Sequence, residues 1–318
     1  MALHPVIRTM LDATQASGWK GVHSVPVEAA RKFMSDRFVF LGKGPEVGKI
    51  SECAIATRGG TRRGRLYLPR GAAKALIVYL HGGGWVVGNI DDYDILGRFL
   101  ADRTGCAVLL ASYRLAPEHP FPAAVEDCYD ALLWADAEMA RLVGKRLPLI
   151  VAGDSAGGNL SAVTARLARD AGQPKLALQI LIYPATDADL DTPSYRAYAE
   201  GFGLGRADCA WFYSHYLQGQ RRDNPLVAPL RALDLKGVAP AFIMTAEYDV
   251  LRDEGEAYAR RLAAAGVAVS LRRYQGVTHG FICMPNLLDV AERGQQDISR
   301  AIAATLEGKG NAGAVPLH

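Results

Sequence analysis

Six short apolar runs, separated by longer stretches of helical spacing, constrain this 318-residue chain more than any other feature. The runs are 75–80 (ALIVYL), 106–112 (CAVLLAS), 148–153 (PLIVAG), 177–182 (ALQILI), 240–246 (PAFIMTA) and 268–274 (AVSLRRY). They are short and rich in branched apolar side chains, and most show no alternation with polar residues. Such runs read as strands buried on both faces. Helical patterns fall between them, near 92–103, 121–140, 156–171, 253–265 and 287–306. Strands alternating with helices of that length predict an α/β fold, a mainly parallel sheet flanked by helices. Two more strand-like stretches, 50–57 and 64–69, are joined by the turn-rich Arg58-Gly59-Gly60 and bring the expected sheet to eight strands.

One segment interrupts the alternation. Almost sixty residues without a strand separate Ile182 from Pro240, far more than a plain crossover requires. They carry Tyr195, Tyr198, Phe202, Trp211, Phe212, Tyr213 and Tyr216. At the amino terminus Leu3, Val6, Ile7, Met10 and Leu11 recur at helical spacing, and a second helix follows over 26–36, begun by Pro26. The expected organisation is therefore 1–49 as amino-terminal helices of a cap, 50–185 as the first part of the core, 186–228 as a cap insertion and 229–318 as the rest of the core. Residues 42–49 (GKGPEVGK) superficially suggest a phosphate loop. Lys43 stands where the first glycine belongs, and Ile50 where Ser or Thr belongs, so that reading fails.

Composition excludes several classes. A net charge of +3, with Arg-Arg pairs scattered at 62–63, 221–222, 260–261 and 272–273, makes no basic stripe for nucleic acid. No stretch approaches the roughly 20 apolar residues of a membrane helix, and the amino terminus shows no secretory pattern. The five cysteines (Cys53, Cys106, Cys128, Cys209, Cys283) are scattered, without a CxxC pair. They predict reduced thiols in a cytoplasmic protein, with neither a disulfide framework nor a metal site. Oligomeric state, a homodimer included, is left open.

The chemistry concentrates where strands end. Gly153-Asp154-Ser155-Ala156-Gly157-Gly158 follows one apolar strand and precedes a helical pattern, the context in which a G-x-S-x-G turn presents a strained, projecting serine hydroxyl. The first amides of the next helix have no partners in the helix and lie at its positive end. His81-Gly82-Gly83-Gly84-Trp85 follows another strand. Three successive glycines suit a loop whose N–H groups converge on an oxyanion, and the amides of Gly83, Gly84 and Ala156 are the expected donors. Glu247-Tyr248-Asp249 and Thr278-His279-Gly280 follow two more strands, at the edge where open α/β sheets build sites. A serine nucleophile needs a base, and the base needs a carboxylate to orient it, which Ser155, His279 and Asp249 would supply. Glu247, Asp253 and Glu254 compete as the acid, although Asp253 and Glu254 suit the first turn of the next helix. His81 and His119 compete as the base: His81 suits a role in ordering the glycine loop, and His119 lies in a proline-rich loop. His4, His23, His215 and His318 have no strand-end context.

These pieces, HGGGWVVG (81–88), YRLAPEHPFPAA (113–124), GDSAGGNL (153–160), AEYDVLRDEG (246–255) and HGF (279–281), resemble the hormone-sensitive-lipase-like bacterial esterases, a branch of the α/β-hydrolases. The resemblance spans 76–281. It implies the α/β-hydrolase fold with a helical cap, Ser155 as nucleophile, Asp249 as acid, His279 as base, Gly83, Gly84 and Ala156 as oxyanion donors, and no cofactor. Val250 departs from the proline more usual in that turn. The expected activity is hydrolysis of small carboxylic esters, with short to medium acyl chains favoured and activity falling as acid protonates the histidine. A silent ligand-binding protein on the same scaffold, or amide hydrolysis or a lyase reaction by the same three groups, are the rival readings. Trp85, Phe33, Met34, Phe202 and Leu204 are the candidate lining of an apolar substrate pocket.

Overall fold

The computed structural model describes residues 2–308, so His318 lies outside the described residues. The strands are β1 (Lys49–Thr57), β2 (Gly60–Leu68), β3 (Leu76–Leu80), β4 (Ala107–Ala111), β5 (Leu149–Asp154), β6 (Leu176–Ile182), β7 (Ala241–Tyr248) and β8 (Val269–Thr278). The helices are α1 (Pro5–Ala16), α2 (Val27–Val39), α3 (Asp94–Thr104), α4 (Ala123–Ala137), α5 (Met139–Val143), α6 (Ala156–Ala171), α7 (Pro193–Ala197), α8 (Arg206–Leu217), α9 (Arg252–Ala264) and α10 (Asp289–Leu306).

The strands form one sheet in the order β1-β2-β4-β3-β5-β6-β7-β8. β2 runs antiparallel to both its neighbours, and every pairing from β4 across to β8 is parallel. The eight-stranded, mainly parallel sheet expected from the sequence is present. The two faces explain why the central strands lack alternation. Leu76, Val78 and Leu80 of β3 join the core under α4, α6 and α9, while Ile77 and Tyr79 join the core under α3 and α10. A strand covered on both sides has no solvent-facing positions to leave polar.

Two strand boundaries differ from expectation by four residues, for physical reasons. β2 begins at Gly60 because Arg58-Gly59 alone makes the turn, with Thr57 opposite Gly60. Arg62 and Arg63 read as loop, yet they pair with Ile55 and Ala54 in a strand with one face partly open to solvent. β8 runs on to Thr278, four residues past its expected end. A register shift after Ala246 brings Tyr248 opposite Thr278.

The segment 183–240 contains no strand. Its helices α7 and α8 lie over the carboxyl ends of the central strands, where Cys209, Phe212 and Tyr213 approach Ser155. The stretch before α2 joins them: His23 Nδ1 lies 2.7 Å from an Asp208 carboxylate oxygen at the start of α8. α1 sits elsewhere, with the His4 amide donating to the Gly276 carbonyl and the His4 ring meeting Asp289 of α10.

Candidate active site

β5, β7 and β8 each deliver one polar residue at the position immediately after the strand ends: Ser155, Asp249 and His279. Because Tyr248 and Thr278 are a register pair, Asp249 and His279 leave the sheet at the same level. His279 Nδ1 donates to Asp249 Oδ2 at 2.8 Å, and Nε2 faces Ser155 Oγ at 2.9 Å. The other oxygen of Asp249 accepts the Leu251 amide at 3.0 Å, which fixes the carboxylate. Asp249 is buried, and only a small part of the His279 side chain meets solvent. With Nδ1–H engaged by the carboxylate, the Nε2 lone pair is free to accept the serine proton.

Ser155 is held in an unfavourable backbone conformation, φ 57° and ψ −120°. Its amide donates to the Ile182 carbonyl, and its carbonyl accepts from Asn159 at 2.9 Å, so both ends of the turn are fixed. Gly157 is required by close approach. A Cβ there would lie 1.9 Å from the Leu80 carbonyl oxygen and 2.6 Å from that of His81. Gly84 is required twice over, by a φ of 59° and because a Cβ would lie 2.2 Å from the Phe212 ring. Among the described residues the amides of Gly83 and Gly84 have no hydrogen-bond acceptor, and the Ala156 amide opens α6, where a helix supplies none.

A clamp not foreseen from the sequence holds the glycine loop. The Gly82 amide donates to Asp154 Oδ1 and to the Tyr93 hydroxyl, each at 3.0 Å. The Tyr79 and Tyr93 hydroxyls donate to the two Asp154 oxygens at 2.9 and 3.0 Å. Burial raises the Asp154 pKa to about 6, against the opposing pull of these hydrogen bonds. His81 Nδ1 donates to the Gly82 carbonyl at 2.7 Å, and its ring stacks on Tyr113. Burial lowers its pKa to about 4, so it stays a neutral loop support near pH 7. The far end of the loop is held by Arg31 of α2, whose Nε donates to the Val86 carbonyl at 2.9 Å while its other nitrogens grip Glu118. Asp154 lay inside a motif already singled out, but nothing in its spacing announced Tyr79 and Tyr93 as partners.

The competing groups are engaged elsewhere. Glu247 accepts the Gly276 amide at 2.7 Å. Asp253 and Glu254 lie in the first turn of α9 and accept amides of Ser194 and of Thr186 and Asp187. Burial drives the Glu254 pKa upward. His119 is exposed and lines a separate polar hollow of about 410 Å³ with Arg31, Arg62, Arg114 and Glu118.

Beside Ser155 lies a cavity of about 30 Å³ lined by Gly84, Trp85, Ala156, Tyr195, Leu204, Cys209, Phe212 and Tyr213, among others. Trp85 and Leu204 of the five pocket candidates form part of this wall. Phe33 instead stacks on Trp19 at 4.0 Å, Phe202 stacks on Tyr248 at 5.4 Å, and Met34 packs against the core.

Residues 77–283 match the family model of the alpha/beta hydrolase fold. The chain belongs to the α/β-hydrolase family. That match, with relatives that are carboxylic ester hydrolases, places it in the hormone-sensitive-lipase-like esterase branch. It is 39% identical over 316 residues to the carboxylic ester hydrolase LipN of Mycobacterium tuberculosis, covering 96% of this chain and 83% of the relative. It is 38% identical to an ethyl acetate hydrolase of Pseudomonas putida, covering 92% and 96%. A solved esterase of the archaeon Pyrobaculum calidifontis superposes with a TM-score of 0.90 at 38% identity, covering 96% and 99%. Ser155, Asp249 and His279 follow one another in the chain order that α/β-hydrolases use for nucleophile, acid and histidine. Among its described residues no helix is long and apolar enough to cross a membrane, and no group of three or more His, Cys, Asp or Glu side chains is placed to hold a metal ion.

Proposed function

We propose that this α/β-hydrolase is a serine carboxylesterase that cleaves short- to medium-chain carboxylic esters through an acyl-enzyme on Ser155. One observation carries the reading: the unbroken chain from Asp249 through His279 to the Ser155 hydroxyl, beside three amides with no other acceptor. His279 Nε2 takes the proton as Ser155 Oγ attacks the ester carbonyl. The amides of Gly83, Gly84 and Ala156 receive the negative oxygen, each worth roughly 10²–10³ in rate. Protonated His279, stabilised by Asp249, returns the proton to the departing alcohol. Water then attacks the acyl-enzyme with the same base and frees the acid.

A small, apolar cavity against Ser155 supports the preference for short chains. Five free cysteines, four of them buried, fit a cytoplasmic enzyme. The test is turnover of p-nitrophenyl butyrate together with labelling by a fluorophosphonate. Wild type should do both, and Ser155→Ala should do neither while keeping its circular dichroism spectrum. Butyrate turnover at wild-type rate in Ser155→Ala would remove the serine from the mechanism.

A further inference from the structure

The cavity of about 30 Å³ beside Ser155 is far smaller than the roughly 300–1,000 Å³ of typical ligand pockets, so a longer ester chain requires part of its wall to retreat. The wall is not uniformly able to move. Trp85 is 2% exposed and lies flat on Tyr216 with ring centres 4.4 Å apart. Tyr213 is equally buried, and its hydroxyl donates to the Asp187 carbonyl at 2.6 Å. Phe212 is pressed against Gly84, and Tyr195, Cys209 and Leu251 are buried. Apart from Ser155 itself, Leu204 is the one lining residue that is not buried.

Leu204 rides on the segment 199–205 (AEGFGLG), which differs from everything else around the site. Its ends are tied where the Arg206 amide donates to the Ala199 carbonyl at 3.0 Å and the Gly205 amide donates to Asp208 at 3.0 Å. Among the described residues, no backbone hydrogen bond is made within 200–204. Gly201 and Gly203 have φ of 83° and 90°, with open space where a Cβ would stand. Two side chains face inward from this strap. Leu204 enters the cavity, and Phe202 lies flat on Tyr248 (interplanar angle 9°) and edge-on to Tyr198. Those two aromatics are themselves fixed: Tyr248 directly precedes Asp249, and Arg252 lies over Tyr198 and donates to its hydroxyl at 3.0 Å.

We infer that residues 199–205 are the adjustable wall of the substrate pocket, with Leu204 setting the chain length admitted and Phe202, stacked on Tyr248, holding the strap closed. This rests on the esterase reading and goes beyond it by naming the specificity determinant. Leu204 acts by direct contact with the substrate chain. Phe202 is a positioning residue that acts through Leu204.

The test uses full-length wild type, Leu204→Ala, Leu204→Trp and Phe202→Ala. Each is assayed for kcat and KM on p-nitrophenyl acetate through decanoate and on ethyl through octyl acetate, so that chains on either side of the ester are sampled. In one of the two series, Leu204→Ala should raise the octyl-to-butyl ratio of kcat/KM on the order of 10-fold, as removal of side-chain bulk from an apolar pocket does. Leu204→Trp should lower that ratio. Phe202→Ala should raise it about 3-fold, a smaller shift because the wall is loosened rather than removed. Opposite shifts from two changes at one position cannot come from general damage to the fold. A wild type active on esters whose ratios stay within 2-fold in both Leu204 variants overturns the wall assignment and leaves the esterase reading standing. A wild type inactive on every ester overturns both.

Discussion

Gly157→Ala should disable the site without touching any group that carries chemistry. The new methyl carbon would stand 1.9 Å from the Leu80 carbonyl oxygen and 2.6 Å from that of His81, where side-chain carbons essentially never come within 3.0 Å. Both obstacles are backbone, at the end of β3 and the start of the glycine loop, so no flexible tip can swing aside. Relief demands that α6 and the loop separate by at least 1.1 Å. Ala156 lies on one side of that gap and Gly83 and Gly84 on the other, so the three amides can no longer converge on one oxygen. Overpacking of this kind costs about 1–3 kcal/mol of stability. A misplacement of about 1 Å in a catalytic group costs on the order of 10² in rate. The expected result is therefore a folded protein with kcat on p-nitrophenyl butyrate reduced about 100-fold or more. Fluorophosphonate labelling should slow with it, because the phosphonyl oxygen uses the same amides. Gly172→Ala, at the far end of α6 with open space around it, should leave kcat within 3-fold. If Gly157→Ala keeps kcat within 3-fold of wild type, the close approach of helix and loop does not set the oxyanion geometry.

Three further outcomes follow from the same geometry. Ser155→Gly and Ser155→Ala should both be inactive, but the glycine variant should be about 1 kcal/mol or more the stabler in urea, since only glycine accepts φ 57° and ψ −120° without strain; equal stability would mean that the turn stores none. Asp249→Asn should lower kcat roughly 10³–10⁴-fold with KM little changed, because an amide no longer enforces the Nδ1–H tautomer of His279; a kcat within 10-fold of wild type would remove the carboxylate from the mechanism. The third concerns acid. His81, held near 4 against an ordinary 6.5, gives up stability as pH falls from 6.5 to 4, because only the unfolded chain takes the proton. Asp154, raised from 3.8 to about 6, does the reverse, because between 6 and 4 the folded chain takes the proton first. Asp154→Asn deletes the gain and leaves the loss, so between pH 6.5 and 4 it should lose on the order of 3 kcal/mol more than wild type in urea titrations. Parallel pH profiles for the two proteins would refute the opposition.

Legibility differed sharply between the parts of this molecule. The central strands could be read because burial on both faces leaves continuous apolar runs such as ALIVYL, a local signal. Ser155, Asp249 and His279 could be singled out because each lies within five residues of the end of a strand-like run, and a parallel sheet gathers strand ends at one edge. Arg62 and Arg63 misled because a strand with an open face tolerates charge, so polarity there is no evidence of a loop. The pocket residues were the least legible. Phe33, Phe202 and Leu204 are all partly exposed aromatic or aliphatic residues outside the sheet, and only tertiary contacts separate a cavity wall from a stacking partner. Tyr79 and Tyr93 lie sixty and more residues from Asp154, and as apolar-patterned positions they gave no sign of their hydroxyls' targets.

Those hydroxyls bear on how a loop with three glycines can be catalytically precise. Consecutive glycines carry a large conformational entropy cost when fixed, so a loop like 81–84 is ordered only if its surroundings order it. Here the restraint is supplied from both ends and from both chemical groups of one residue. The Gly82 amide is fixed by Asp154 and Tyr93, the Gly82 carbonyl by His81, and the Val86 carbonyl by Arg31. Asp154 is also the residue immediately before the proposed nucleophile, so the carboxylate that fixes the loop belongs to the same backbone turn that presents Ser155. Loop and nucleophile are thereby set relative to each other by one short side chain rather than by two independent frameworks. Among the described residues the amides of Gly83 and Gly84, the proposed oxyanion donors, keep no other acceptor, while the loop is held by the Val86 and Val87 amides on the Gly83 carbonyl and by Asp154, Tyr93, His81 and Arg31.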